Sequence, residues 1–287
     1  MSLSDNLLRI GVPSKGRLSE LATDLLLQAG LTFRRQERAL FARVSGIPAD
    51  ITFLRTDDIP TLCAEGAIDL GISGSDLVEE AGAQVDIRMK LGVGRCKLAI
   101  CVPTSSPYQK PSDLGGKRVA TSFPRTTERF LKQHNAPVHL VNLNGSVEIM
   151  ISLGVADAIV DLVETGSTLA ANQLRILELI GQYETVLIQS PNCRDIGTAD
   201  RIVRRLEGVV IARDYSLLEY NLPREKLAAA EAVTPGFTSP TVTSLEDPEW
   251  CAVRAMVKSS EVIPIMEKLE QLGALAILEF SINNCRL

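Results

Sequence analysis

Along the first third of the chain, short apolar runs alternate with stretches of helical spacing, and a small polar turn stands at each change. Leu8 to Val12 has strand length. Pro13-Ser14-Lys15-Gly16-Arg17 breaks it, and Leu18, Leu21, Ala22, Leu25, Leu26 and Ala29 then recur on one helical face until Gly30 stops them. Asp50 to Leu54 is a second strand ending at Arg55, after which Thr56, Asp57 and Asp58 open a helix predicted to close near Gly66. Ile68 to Ile72 is a third strand, followed by Ser73-Gly74-Ser75 and a short helix. An open α/β sheet gathers ligands at the carboxyl ends of its strands, so these turns are candidate binding positions.

A second unit starts near Arg95. Strands are predicted at 98–102, 118–121 and 138–143, helices over 126–134 and 147–153, and a further strand runs into Asp161. Leu174 to Ser190 reads as a strand pair, and Ile202, Val203, Leu206 and Val209 keep helical spacing across Gly208. This order predicts two α/β lobes with a cleft between them. From Tyr215 the pattern becomes strand 215–222, helix 224–232, strands 241–245 and 252–257, helix 261–272 and strand 275–282. That is the βαββαβ order of a ferredoxin-like domain. On fold alone, effector binding and plain structural support both stay open for it.

The length of 287 residues predicts two or three domains. No stretch approaches the length of a membrane span and the first residues lack a signal pattern, so a soluble protein of the cytoplasm is expected. A net charge of −5 argues against general nucleic-acid binding, although Lys15, Arg17, Arg55, Arg88, Lys90, Arg95 and Lys97 concentrate in the first third. The six cysteines form no Cys-x-x-Cys pair, which favours packed, reduced thiols over metal ligands. His134 and His139 are not spaced as a metal pair on a helix, and no Gly-x-Ser-x-Gly elbow is present. Histidine-based acyl transfer is therefore disfavoured.

The stretch from Asp161 to Leu169 carries the most specific chemistry. Ala158-Ile159-Val160 ends a buried strand, Leu169-Ala170-Ala171 starts a helix, and Thr165-Gly166-Ser167-Thr168 lies between them. Such a turn aims backbone N–H groups at an anion, and an acid at the strand end accepts hydrogen bonds from ribose hydroxyls. A 5-phosphoribosyl pocket and a simple Ser/Thr helix cap both fit the local string.

Over nearly its whole length the chain resembles ATP phosphoribosyltransferases, the first enzymes of histidine biosynthesis, in their long form with a regulatory C-terminal domain. Glu148, Gly154, Ala156, Ile159, Asp161, Leu162, Thr165, Gly166, Thr168 and Leu169 stand at the spacing of that family's signature. Supporting motifs are Lys15-Gly16-Arg17, Arg55-Thr56-Asp57-Asp58-Ile59-Pro60, Ala120-Thr121-Ser122-Phe123-Pro124 and Leu143-Asn144-Gly145-Ser146-Val147-Glu148. The resemblance implies two lobes like those of periplasmic binding proteins, here residues 1–95 with about 184–214, and 96–183, followed by a regulatory ferredoxin-like domain over 215–287. It implies transfer of the phosphoribosyl group of phosphoribosyl pyrophosphate to ring nitrogen 1 of ATP, a magnesium requirement, feedback inhibition by histidine, competition by AMP, and dimers in exchange with hexamers.

By position, Asp157, Asp161, Thr165, Gly166, Ser167 and Thr168 would hold the ribose and 5-phosphate. Lys15, Gly16, Arg17, Arg55, Ser73 and Gly74 would line the pyrophosphate and nucleotide side, with Arg17, Arg55 and Asp161 closest to the chemistry. Asn221, Thr241 and Ala276 fall near the effector; the family pattern has Asp where Asn221 stands, so a carboxylate able to pair with the histidine amino group is missing. Magnesium ligands are not identified. Two competing readings are an ordinary purine or pyrimidine phosphoribosyltransferase, disfavoured by Leu162 where a second acid is usual, and a non-catalytic two-lobe solute-binding protein.

Overall fold

The computed structural model describes residues 7–36, 39–164 and 166–286. The chain divides into two compact units, one of Met1–Asp24 and Thr32–Asp200, the other of Leu25–Leu31 and Arg201–Leu287. The first unit contains two sheets.

In chain order the first lobe comprises β1 (Leu8–Pro13), α1 (Arg17–Gln28), β2 (Phe41–Arg43), β3 (Ala49–Leu54), α2 (Ile59–Ala64), β4 (Leu70–Gly74), α3 (Ser75–Ala81) and β5 (Asp86–Lys90). The second comprises β6 (Cys96–Pro103), β7 (Arg118–Thr121), α4 (Pro124–Gln133), β8 (His139–Asn142), α5 (Ile149–Ser152), β9 (Ala158–Val163), α6 (Ser167–Ala171) and β10 (Leu174–Tyr183). The chain then returns through β11 (Thr185–Gln189), and α7 (Ile196–Arg213) leads out of the unit. Sheet order is β2-β3-β1-β4-β11-β5 in one lobe and β10-β6-β9-β7-β8 in the other. The three parallel strands β3, β1 and β4 are buried almost throughout because both faces are covered; Ile10, Ile51 and Ile72 have no exposed surface, and the polar Asp50, Thr52 and Ser73 are buried with them. Burial of each such side chain contributes about 1.5–3 kcal/mol.

β10 and β11 are both present but do not pair with each other as the run 174–190 suggested. β10 is antiparallel to β6 in the second lobe, whereas β11 lies between β4 and β5 in the first, so the chain changes sheets at Glu184. The outward crossing lies just before β6, and the two crossings are bonded: Leu91 N–H donates to the Thr185 carbonyl at 2.9 Å and Thr185 N–H to that of Val93 at 3.0 Å. A second link joins α3 to α4. The Glu80 carboxylate accepts from the N–H groups of Arg125 and Thr126 at 2.8 and 2.9 Å, filling the α4 N-terminus, and Leu77 packs against the second lobe's core. These contacts hold two walls of a cleft at a defined separation.

The other unit carries β12 (Tyr215–Pro223), α8 (Leu227–Val233), β13 (Thr241–Ser244), β14 (Trp250–Lys258), α9 (Val262–Gln271) and β15 (Leu275–Ser281). The order β13-β14-β12-β15, antiparallel throughout, is the ferredoxin-like arrangement expected from βαββαβ. Alternate residues Leu218, Tyr220 and Leu222 point into its core with Val253, Val262 and Leu269, and the Tyr220 hydroxyl is satisfied by Thr234 at 2.6 Å. Leu25–Leu31 belongs to this unit, where Gln28 accepts a hydrogen bond from Arg213 at 3.1 Å.

Candidate functional site

The polar turns of the first unit collect at the cleft because β1, β3 and β4 run parallel and end together. Pro13 pairs with Leu54, so the Lys15–Arg17 loop and Arg55 leave adjacent strand ends side by side. Lys15, Gly16, Arg17 and Arg55 are all exposed there. Facing them from the second lobe is the end of β9. This strand continues to Val163, two residues beyond the sequence-based end, and Asp161 lies within it opposite Ala99 of β6.

Three cavities occupy the cleft, and Glu164 borders all of them. The first, about 410 Å³, is lined by Glu148, Asp161, Gly166, Ser167 and Thr168 among others. Gly166 caps α6 with φ of +79°, a left-handed conformation that costs an L side chain about 1–2 kcal/mol. The turn therefore needs glycine to aim the first N–H groups of α6 outward. Burial pushes the Asp161 carboxyl up from the ordinary carboxylate range; the Leu162 N–H bond at 2.8 Å opposes this, and neighbouring Glu148 adds to it. Thr165 lies outside the described residues.

The second cavity, about 260 Å³, is mainly apolar: Leu18, Leu21, Leu77 and Leu162 supply the walls, with Arg17, Gly74, Asp76 and Cys96 between them. It shares Leu162 with the first cavity. The third, about 450 Å³, is bordered by Lys90, Arg95 and Lys97 with Gln182, Tyr183 and Glu184. Lys90 is bound to Glu184 at 2.8 Å. Cys96 borders the second and third; burial, followed by Asp76 and Glu164, pushes its thiol up to about 12, so it is neutral and no nucleophile.

Arg17 Nη1 donates to Glu164 Oε2 at 3.0 Å, an ion pair reaching from the first lobe to the second. Its side chains are 74% and 56% exposed, so it is a contact an incoming anion can replace.

Two sequence-based site positions are placed elsewhere. Asp157 stands just before β9, at the opposite end of the strand from the Gly166 turn and roughly 13 Å from Asp161 along the chain direction. Arg118 holds its carboxylate by backbone N–H, Nε and Nη2 at 2.9, 3.2 and 3.0 Å, and this pairing pulls the carboxyl below its usual range. Ser73 is fully buried, and its hydroxyl donates to the Thr56 carbonyl at 3.4 Å, so it steadies the turn after Arg55 and presents nothing to a ligand. Conversely, Asp76, Glu164, Arg95 and Lys97 border the cleft without having been singled out for it. The charge clustering of Arg95 and Lys97 was visible; only the strand crossing reveals that they border a cavity with Val163 and Glu164 at the end of β9.

In the second unit Asn221 pairs with Ala252 on one side and Leu275 on the other, and Thr241 pairs with Arg254. Opposed residues share a face, so Asn221, Thr241 and the Glu219–Arg254 ion pair at 2.6 Å stand on the open side of the sheet. Ala276 follows at an irregularity in the β12–β15 register, with φ of +50°.

The magnesium expectation finds no dedicated cage: among the described residues no group of three or more His, Cys, Asp or Glu side chains is arranged to hold a metal. No helix among the described residues is long and apolar enough to cross a membrane.

A family model described as ATP phosphoribosyltransferase matches residues 55–208, and one described as HisG, C-terminal domain, matches residues 212–284. The chain is 68% identical over 283 residues to an ATP phosphoribosyltransferase of Rhodopirellula baltica, covering 99% of this chain and 95% of that protein. It is 40% identical over 292 residues to one of Yarrowia lipolytica, covering 100% and 98%. Among solved structures, the ATP phosphoribosyl transferase (HisG:HisZ) complex from Thermotoga maritima aligns with a TM-score of 0.64 and 27% identity, covering 71% of this chain and 98% of that one. The arginine-, lysine-, histidine-binding protein ArtJ from Geobacillus stearothermophilus aligns with a TM-score of 0.50 and 14% identity over 72% of this chain and 90% of its own, a likeness of fold alone.

Proposed function

The chain belongs to the ATP phosphoribosyltransferase family, pentosyltransferases at the first step of histidine biosynthesis, and from that premise we propose how its cleft performs the transfer. Family membership sets aside the other phosphoribosyltransferases and the solute-binding reading. The observation that carries the proposal is the meeting of three chemically different cavities at Glu164. The Gly166–Thr168 turn takes the 5-phosphate of phosphoribosyl pyrophosphate and Asp161 takes the ribose hydroxyls. The apolar slot between Leu18, Leu77 and Leu162 takes the adenine ring. Arg17 and Arg55, with Arg95 and Lys97 of the third cavity, receive phosphate charge.

In the reaction, ring nitrogen 1 forms a bond to the anomeric carbon with its lone pair, while the bond to the pyrophosphate oxygen breaks and its electrons leave with pyrophosphate; the carbon inverts. The nucleophile needs no activation by histidine. The difficulty is charge: the sugar becomes cation-like and the leaving group gains negative charge, so a fixed carboxylate at Asp161 and fixed cations at Arg17 and Arg55 lower the barrier. Magnesium fits as a companion of the substrates' phosphates, since Mg²⁺ commonly uses one or two carboxylates plus phosphate oxygens, and Asp161, Glu148 and Glu164 border the phosphoribosyl cavity. When bound it would neutralise phosphate charge.

We assign residues 1–95 and about 184–214 to the first catalytic lobe, 96–183 to the second, and 215–287 to a domain that binds histidine as feedback inhibitor near Asn221, Thr241 and Ala276. The same reading makes AMP a competitor for the adenine slot, the assembly a dimer in exchange with a hexamer, and the cytoplasm its compartment. The test of the transfer is incubation with ATP, phosphoribosyl pyrophosphate and magnesium: stoichiometric pyrophosphate and a product bearing the sugar on adenine nitrogen 1 are expected. Pyrophosphate without that adduct would refute it.

A further inference from the structure

Asp76 is a buried carboxylate, 6% exposed, in the first turn of α3 at the carboxyl end of β4. It borders the apolar slot together with Leu77 of its own helix and Leu162 of the second lobe. Among the described residues no Lys or Arg forms an ion pair with it, and its only bonded support is from backbone N–H groups, its own and that of Leu77. The carboxylate is folded back over Gly74 so closely that a Cβ there would stand 2.0 Å from Asp76 Oδ1. An acid held in such a place, with its desolvation uncompensated by a cation, is expensive to maintain as mere scaffolding.

A flat heterocycle between the leucines would present its polar edge to this carboxylate. We propose that Asp76 is the specificity-determining residue for the base, accepting a hydrogen bond from the exocyclic 6-amino group of adenine; this rests on the reading of the cleft given above. A carboxylate suits the task because it can only accept. It anchors the amino group while leaving the adjacent ring nitrogen 1 lone pair free for the sugar. As nitrogen 1 bonds to the anomeric carbon and the pair from the broken bond leaves with pyrophosphate, the purine acquires positive charge shared over nitrogen 1, carbon 6 and the amino nitrogen. The hydrogen bond to Asp76 then becomes a charge-assisted one, stronger in the transition state than in the ground state. A 6-oxo purine would instead set a carbonyl oxygen against the carboxylate, so discrimination by repulsion comes with the same residue.

The test uses the full chain and three nucleoside triphosphates: ATP, inosine triphosphate with its 6-oxo group, and purine riboside triphosphate, which has hydrogen at that position. Unmodified protein should bind ATP at least about tenfold more tightly than either analogue. Asp76→Asn, whose amide can donate to a 6-oxo group, should reverse the order of ATP and inosine triphosphate, and its kcat/KM for ATP should fall by about a hundredfold, with phosphoribosyl pyrophosphate affinity retained as evidence of a folded cleft. If that variant does not fold, the analogue series on unmodified protein decides alone. Equal binding of ATP and the 6-hydrogen analogue, or an unchanged ATP to inosine triphosphate ratio in Asp76→Asn, would overturn the assignment while turnover in the unmodified enzyme leaves the transfer intact; absence of pyrophosphate release from unmodified enzyme would overturn both.

Discussion

Arg17→Ala separates catalysis from stability more sharply than any other single change in this cleft. The guanidinium pairs with Glu164 at 3.0 Å, with both side chains more than half exposed. An exposed pair of this kind is worth about 0.2–1 kcal/mol, so removing it should barely move the melting temperature. During turnover the same cation faces the departing pyrophosphate, where loss of one preorganised partner costs about 2.7–4 kcal/mol, or roughly a hundred- to a thousandfold in rate. The companion variant Glu164→Gln releases Arg17 from its partner. It should tighten pyrophosphate as a product inhibitor by no more than about the worth of the pair, roughly fivefold at most. Pyrophosphate release in the steady state and thermal melts of the same preparations supply both axes. Wild-type turnover in Arg17→Ala, or a rate loss matched by a melting loss of similar free energy, would refute the reasoning.

Asp161→Asn should raise KM for phosphoribosyl pyrophosphate far more than for ATP. Because burial raises the Asp161 pKa, binding of the sugar should weaken on acidification above the ordinary carboxylate range near about 3.9, and the asparagine variant should lack that limb of a KM-against-pH profile. Asp157 has the opposite sign: its pKa is lowered by Arg118, so its contribution to stability is present above the ordinary carboxylate value and disappears as pH falls through the lower folded value. Melts of Asp157→Asn and wild type should therefore differ at neutral pH and converge in acid, with pyrophosphate release largely unaffected. Ala276→Gly relieves a left-handed backbone worth about 1–2 kcal/mol to an L residue, partly offset by glycine's chain entropy, and should leave the melting temperature unchanged or raise it; a clear fall would show that the alanine methyl group is needed.

Period and punctuation were enough to read the βαββαβ order after Tyr215, because its two central strands β12 and β14 alternate and turn residues separate the elements. They were enough for β1, β3 and the Asp161–Leu169 turn because short buried runs there end abruptly at polar and glycine-containing turns. What they could not supply was pairing. Leu174 and Thr185 head consecutive strands separated by the single residue Glu184, yet the strands join different sheets, a choice made by which edges are open in three dimensions. The short β2 and β5 escaped notice because Phe41–Arg43 and Asp86–Lys90 carry edge-strand charge and little apolar periodicity. Asp157 and Asp161 are four residues apart, but in a strand that spacing carries Asp157 to the other end of β9, where the Arg118 guanidinium holds it. Asp76 was hidden by the opposite error: an acid early in a helix reads as a dipole partner, and only burial against leucines shows it facing a cavity.

The central claim is that a sugar phosphate enters the second lobe at Asp161 and meets a nucleotide base lodged between the lobes. A crystal structure with phosphoribosyl pyrophosphate and AMP bound together tests it directly. The 5-phosphate is predicted on the backbone of Gly166 to Leu169 with ribose hydroxyls on Asp161, and purine nitrogen 1 directed at the anomeric carbon. A sugar diphosphate bound elsewhere, with that turn unoccupied, would contradict the account.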